Sequence, residues 1–599
     1  MAKRSLASLA MMILIGMMMM TGVVVVVLGE EKDKSAGSRQ KKTDSVYERY
    51  DVIDLVIEKL WSKGNPSETY GYKQLPFCDV KASTATSLGE ELTGSGDSVI
   101  SSYDIGFQVD VPPETELCAK SLKKEDLERL RQAIKDDYLM LMYYDGIPMI
   151  VHIGYYDSLE NKYYLYNSYK FSLTYNGNHV ITALATPSSK VDVTSNDVTQ
   201  IKFKYSAEWK STTKQYVTRV NYFINMNFNS EELEIQWFSV INSLIFILVL
   251  TSFLTFIIIR MLRKDYDAMD LEQDSQEKEE TGWKQLHADV FRFPSNINLL
   301  SAILGNGAQL LSLIFCLLFL GALGAYYQDY GYKAVTTSLV IVYTLTTGIN
   351  GYVSGSYYKK FGGESWIKNT VTTLLVFTLP MAITWSILNT IAVSYGSTAA
   401  LPFKTVAIIV ALYVAVSFPL LLLGAITGKN FTKGFEAPCR TKKVPREIPP
   451  VVWWKGENVL ASVAGFLPFI SIYIELHYLY LSMWGHYGHV PFPIVLMVVI
   501  ILITVTSCIT ISLIYLTLSQ ENHHWWWRSV KFGGASSIFI FAYSMYYLVD
   551  SGMSGILQVS IFIGYTFILC LAVFLMMATV GFLSSLTFVK NIYRSIKCD

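Results

Sequence analysis

Between residues 237 and 589 the chain contains nine long apolar stretches, at about 237–259, 299–327, 334–356, 371–393, 402–427, 459–484, 492–518, 531–549 and 556–586. A helix rises 1.5 Å per residue, so roughly 20 apolar residues cross the ~30 Å of bilayer hydrocarbon. Hydrocarbon offers the backbone no hydrogen-bond partner, and a helix satisfies its own N–H and C=O groups. The pattern predicts nine transmembrane helices. The last stretch is long enough to tilt or to continue past the membrane.

Residues 30–236 have a different character and contain no run long enough to span a bilayer. The segments SVISSYDIGFQVDV, KYYLYNSYKFSLTY and VTQIKFKYSAEW are rich in Tyr, Val, Ile and Phe with partial alternation, which predicts strands. One helix is predicted in KKEDLERLRQAIKDDYL, where Leu127, Leu130, Ile134 and Tyr138 fall at helical spacing. The fold class is therefore a polytopic α-helical membrane protein preceded by a β-rich lumenal domain. Ahead of that domain, Lys3 and Arg4 precede an uncharged stretch to Leu28, and charge returns at Glu30. This is the layout of a signal peptide over 1–29 with a cut after Gly29, or of an uncleaved signal anchor. Either delivers residue 30 onward to the lumenal or outer side. Cys78 and Cys118 both lie there, and an oxidising compartment favours a disulfide between them.

The basic residues then orient the bundle. With the β-rich domain outside, the first span runs inward. The inside loop 260–298 carries Arg260, Arg263, Lys264, Lys278, Lys284 and Arg292, and the inside loop 428–458 carries seven Lys or Arg from Lys429 to Lys455. The four short outside loops offer Lys333 alone. This is the positive-inside pattern, and it places the tail, 590–599, in the cytosol. Lys+Arg and Asp+Glu both number 49, so net charge suggests no nucleic-acid partner. The acidic strip within 265–280 reads as a solvated segment. No Walker loop, GxSxG, HExxH or zinc-type Cys/His spacing occurs, so the chain is not expected to be an enzyme or to hold a metal or cofactor.

Inside the spans a few residues stand out. Glu475 lies near the middle of the sixth, where an ionised side chain costs about 2.5–3.5 kcal/mol on insertion scales. Pro468, two turns earlier, is expected to kink the helix and turn the carboxyl toward the bundle interior. Glu475 is then either a polar site for a client helix, a cation or a proton, or a hydrogen-bonded residue holding two helices together. His477 points to another side of the same helix, toward a different neighbour. Gly351 and Gly355 have the GxxxG spacing that lets helices approach closely, for packing within the bundle or for docking. Trp525, Trp526, Trp527 and Arg528 lie at a cytosolic boundary, as expected for interfacial anchors. The basic, proline-rich APCRTKKVPREIPP is expected to be extended and able to lie against anionic headgroups.

Several segments in a fixed order resemble those of the nonaspanins, the transmembrane 9 superfamily. They are NPSETYGYKQLPFC (65–78), SLGEELTG (87–94), FKYSAEW (203–209), WFSVINS (237–243), GWKQLHADVFRFP (282–294), VPREIP (444–449), LPFISIYIEL (467–476) and WWWRS (525–529). The resemblance runs from about residue 50 to the end; Ala288, His523 and His524 depart from the family's usual residues. It implies a Golgi and endosomal membrane protein that assists the sorting, localisation or surface delivery of client membrane proteins. It also implies that Lys597 and Asp599 form a lysine–any–aspartate tail motif read by the COPI coat. A transporter or channel using Glu475 as an ion or proton site is the alternative.

Overall fold

The computed structural model describes residues 46–83, 91–92, 96–196, 199–216, 282–323, 332–439, 441–442, 444–484 and 492–594, with scattered helical positions between 245 and 260. The leader 1–29, most of the first span, the acidic strip and the tail residues Lys597 and Asp599 lie outside the described residues.

The N-terminal half folds as two sheets. Strands β1 (Leu55–Ser62), β2 (Thr69–Tyr70), β3 (Ala82–Ser83), β4 (Val99–Ile100), β6 (Tyr138–Tyr144) and β7 (Ile147–His152) make the first, in the order β3-β4-β1-β6-β7 with β2 also on β1. Strands β5 (Val111–Ser121), β8 (Gly154–Asp157), β9 (Lys162–Asn176), β10 (His179–Asp192) and β11 (Gln200–Ser211) make the second, in the order β10-β9-β11-β5 with β8 also on β9. All pairings are antiparallel except β11 with β9. Helix α1 (Lys124–Lys135) buries Leu127, Leu130 and Ile134, as its spacing predicts. It stops before Tyr138 because Asp137 takes a positive φ of 49° and starts the chain into β6.

Two strand expectations hold, in β9 and β11, and the third needs correction. Of SVISSYDIGFQVDV only Val99–Ile100 and Val111 are strand. Tyr103, Ile105 and Phe107 alternate because they fill the core between the sheets; their backbone joins neither sheet, and its pairing is an isolated antiparallel bridge of Gly106 with Val52, flanked by the Phe107 N–H donating to the Asp51 carbonyl at 2.9 Å. Tyr103 meets the rings of Phe171 and Tyr205, both at 5.3 Å. Beside this core Cys78 and Cys118 form a disulfide, Cα atoms 6.0 Å apart, tying the loop after β2 to β5.

The C-terminal half is a helical bundle. Its helices are α2 (Ile297–Ala322), α3 (Tyr332–Lys360), α4 (Trp366–Ser394), α5 (Phe403–Leu412), α6 (Phe418–Phe431), α7 (Glu457–Trp484), α8 (Phe492–Ser519), α9 (Trp525–Gly534), α10 (Ser536–Asp550) and α11 (Ile556–Arg594). A π-helical turn, Tyr413–Ser417, joins α5 to α6 into one rod, and α9 and α10 make another. Counted as rods, seven helices are long and apolar enough to cross a membrane among the described residues. Helix α3, at 29 residues, is as long but more polar, because threonines and Asn350 interrupt it. It packs between α2 and α6.

Two boundaries differ most from expectation. Helix α11 does not end near 586 but continues to Arg594, because Tyr593 is buried and its hydroxyl donates to the Trp283 carbonyl at 2.6 Å. Helix α7 runs through Pro468, which is buried. The eighth stretch begins earlier than expected, at Trp525.

The β-rich domain rests on one end of the bundle. The Thr69 carbonyl accepts from Ser397 Oγ at 2.9 Å and from the Thr398 backbone N–H at 3.0 Å. The Ser67 N–H donates to Gln558 Oε1 at 2.7 Å, and the Ser554 N–H to Asn65 Oδ1 at 2.9 Å. Both loops contacted, 395–402 and 551–555, are ones the basic-residue pattern assigns to the outside. At the opposite end the segment 282–296 weaves under the helices: Arg292 donates to the Lys442 carbonyl at 2.8 Å, and the Lys442 N–H donates to the Ala288 carbonyl at 3.0 Å.

Candidate functional site

Where α2, α3 and α4 meet, the bundle interior is polar. Asn350 Nδ2 donates to Gln309 Oε1 at 2.8 Å and to Asn306 Oδ1 at 3.2 Å. Asn306 Nδ2 donates to the carbonyls of Ala302 and Thr373, both at 2.9 Å, and Gln309 Nε2 to the Tyr343 carbonyl at 3.1 Å. One turn along, Asn369 Nδ2 donates to Ser354 Oγ, which lies 2.6 Å from Thr373 Oγ1. Gly305 makes room: a Cβ there would lie 2.5 Å from Asn350 Oδ1. Inter-helix bonds of this kind contribute about 0.6–2 kcal/mol each in a membrane.

Among the described residues the network is incomplete. Asn350 Oδ1, Asn369 Oδ1 and Ser417 Oγ are buried and have no hydrogen-bond partner among the described residues. Leaving such an atom unmatched costs about 1–3 kcal/mol. Asn350 and Ser417 line a narrow cleft with Gln309, Tyr343, Thr347, Thr378 and Tyr413. The π turn supplies Tyr413 and Ser417, and its hydroxyl at Tyr413 meets Thr378 Oγ1 at 3.0 Å. The cleft has no charged group, so it suits a neutral hydrogen-bonding group or a water.

Glu475 is 2% exposed on α7, so its burial agrees with the reading from sequence. His477 lies about 200° around the helix from it, turned to α10, where its Nδ1 meets the Tyr543 hydroxyl at 2.9 Å. Tyr480 adds a 2.6 Å contact to Ser544 Oγ along the same seam. The structure thus does not bring Glu475 and His477 into one site. Neither joins the amide network, which sequence reasoning passed over. The signal was present as amides in apolar spans: Asn306 and Gln309 three apart on α2, and Asn350 on α3.

Gly351 and Gly355 are used within the chain. A Cβ on Gly351 would meet the Leu421 carbonyl oxygen at 2.1 Å, and one on Gly355 the Ala425 carbonyl oxygen at 2.7 Å. Helix α6 answers with Gly424 and Gly428, a second GxxxG that sequence reading overlooked, against Gly348 and Tyr352 carbonyls at 2.2 and 2.3 Å. The tryptophans also differ from expectation. Trp525 is 0% and Trp526 2% exposed, so they are core residues and not lipid-facing anchors. Trp525 Nε1 donates to the Val290 carbonyl at 2.8 Å and Trp527 Nε1 to that of Ser295 at 2.9 Å, which draws 282–296 up against the bundle. Arg528 lies 3.4 Å from Glu457.

A family model described as endomembrane protein 70 matches residues 69–556. The chain is 42% identical over 571 residues to transmembrane 9 superfamily member 4 of Arabidopsis thaliana, covering 93% of this chain and 95% of the relative. It is 40% identical over 564 residues to putative phagocytic receptor 1b of Dictyostelium discoideum, covering 92% and 95%. It is 36% identical over 578 residues to transmembrane 9 superfamily member 1 of Mus musculus, covering 92% and 94%. No solved structure matches.

Proposed function

Because this chain belongs to the transmembrane 9 superfamily, the endomembrane protein 70 family, we propose that it handles other membrane proteins in Golgi and endosomal membranes. In this reading nine helices span the bilayer, the β-rich domain is lumenal and the tail cytosolic. The domain and the bundle together engage client membrane proteins and assist their sorting, localisation or surface delivery. Lys597 and Asp599 are read by the COPI coat, which returns the protein and its clients to the Golgi.

The observation that supports this most is the direct seating of the β-rich domain on the bundle through Thr69, Ser67 and Asn65. A client held by the domain is thereby held next to the helices that meet its membrane segment. One relative's name, putative phagocytic receptor, agrees with a role in surface recognition. Proximity labelling from the β-rich domain tests the reading, and recovery of abundant Golgi residents alone would sink it. Lys597→Ala and Asp599→Ala are expected to shift the protein away from the Golgi without unfolding it.

A second reading is supported by the burial of Glu475 in a span: a transporter that uses this carboxyl as an ion or proton site. Proteoliposome flux with the parent chain and Glu475→Gln decides it. Zero, pH-independent flux in both removes it.

A further inference from the structure

Just ahead of α7, at the end of the bundle opposite the β-rich domain, the chain presents an apolar patch. Trp453 is 80% exposed, Trp454 53%, Val452 54% and Val451 37%. Pro449 and Pro450 lead into it, and the turn Trp453–Lys455 holds its shape. The Lys455 N–H donates to the Val452 carbonyl at 2.9 Å and the Gly456 N–H to that of Trp453 at 3.0 Å. Lys455 Nζ lies 4.9 Å from the centre of the Trp454 ring. These two indoles are thus displayed outward, whereas Trp525 and Trp526 are buried.

The patch continues a surface that already meets lipid. Val459, Val463, Phe466 and Ile470 are all exposed on α7 and recur every three or four residues, so they form one outward stripe along a membrane-spanning helix. The patch extends that stripe past the start of the helix. Helix α7 has 28 residues, which makes it about 42 Å long at 1.5 Å per residue against ~30 Å of hydrocarbon. A centred helix then overhangs the hydrocarbon by about 6 Å at each end, within the headgroup layer. Cations gather at the same level: Lys455 beside the patch, and Arg528 and Lys531 of α9, which meet Glu457 at the start of α7.

We propose that residues 451–454 are an interfacial anchor, inserted at the boundary between headgroups and acyl chains of the leaflet at this end of the bundle. An indole suits that boundary, because its rings prefer the acyl side while its N–H still finds a polar partner. The two valines add apolar area on the acyl side, and Lys455 can keep its stem against Trp454 while its ammonium reaches lipid phosphates. A soluble protein could also cover an apolar patch. The bilayer is the better occupant because the patch is continuous with the lipid-facing stripe, and a partner seated on it would have to stand in the headgroup layer. The anchor takes the place expected for Trp525 and Trp526, and it fixes the depth at which α7 enters the membrane.

The test uses the purified full chain in phosphatidylcholine nanodiscs and photo-labelling mapped by mass spectrometry. Three diazirine probes are compared: a phosphatidylcholine carrying the group near its glycerol, one carrying it at the end of an acyl chain, and a small water-soluble diazirine. The glycerol-level lipid is expected to label 451–454 most strongly, and the chain-end lipid to label α7 around Phe466 and Ile470 instead. Trp453→Ser with Trp454→Ser should lower the glycerol-level labelling of 451–455 severalfold and leave the chain-end labelling of α7 unchanged, which also reports that the variant is folded. Stronger labelling of 451–454 by the water-soluble probe than by the glycerol-level lipid overturns the proposal and leaves the patch open to a soluble partner. Labelling by none of the probes means that another part of the chain covers the patch, and overturns it as well. Undiminished glycerol-level labelling in the folded double variant overturns the role of the tryptophans. If the double variant does not fold, the comparison of the three probes on the parent chain decides by itself.

Discussion

The Cα of Gly351 on α3 lies so close to Leu421 on α6 that a methyl group there would sit 2.1 Å from the Leu421 carbonyl oxygen. Gly424 and Gly428 return the same contact from the other helix, so the pair touches backbone to backbone. Such an approach maximises packing where lipid gives helices no hydrophobic reason to associate.

Gly351→Ala is therefore expected to push the helices apart and destabilise the bundle by about 1–3 kcal/mol, the range for overpacking. Gly348→Ala is the control, because its Cβ would meet its nearest neighbour at an ordinary 3.7 Å. Melting temperatures in detergent should drop for the first and stay within error for the second. Equal melting would mean the interface yields easily.

Breaking the Cys78–Cys118 link, which closes a separation of 40 residues, releases the unfolded β-rich domain from a loop constraint of about 4 kcal/mol in the chain-entropy model. The Cys78→Ser/Cys118→Ser variant of the full chain should show faster proteolysis within 46–216 and little change in the helices. Unaltered proteolysis would contradict a stabilising role.

Acidification should weaken the end of the bundle around His523. Burial foremost, then the charge of His524, lowers the His523 pKa from its ordinary value, with Arg292 adding to them and Asp289 opposing. The folded state thus prefers the neutral ring. Its contribution is present above the ordinary histidine value of about 6.5 and fades as pH falls toward the lowered folded value. Melting of the parent chain should decline more between pH 7.5 and 5.5 than that of His523→Gln; parallel declines would assign the effect elsewhere.

Removing the seat of the β-rich domain should loosen it without unfolding either part. Ser397→Ala deletes the 2.9 Å side-chain bond to the Thr69 carbonyl, and Thr398→Ala the 2.8 Å hydroxyl contact with Thr69 Oγ1. Each such bond contributes about 0.5–1.5 kcal/mol. Hydrogen exchange should rise at 67–74 and 395–402 in the double variant, while α3 and α6 keep their protection.

Much of the architecture is written in local pattern. Apolar length is a property of each segment alone, so the existence of helices from 297 onward was legible before any contact was known, whereas the start of α9 and the end of α11 were not. The alternation in β9 and β11 was legible for the same reason. Tyr103, Ile105 and Phe107 misled because burial between two sheets makes the same alternation with no more than an isolated bridge, at Gly106 and Val52, in place of a strand. Glu475 announced itself by its cost in hydrocarbon. What only the tertiary structure decided was which partners these residues meet. Gly351 could have served a second molecule until α6 was seen against it, and Trp525 could have faced lipid until Val290 was found accepting its N–H. The Asn306–Asn350–Gln309 network unites residues 41 and 44 positions apart. Hydrogen bonds depend on distances of a few ångströms, and those are set by how the helices pack and not by any one stretch of chain.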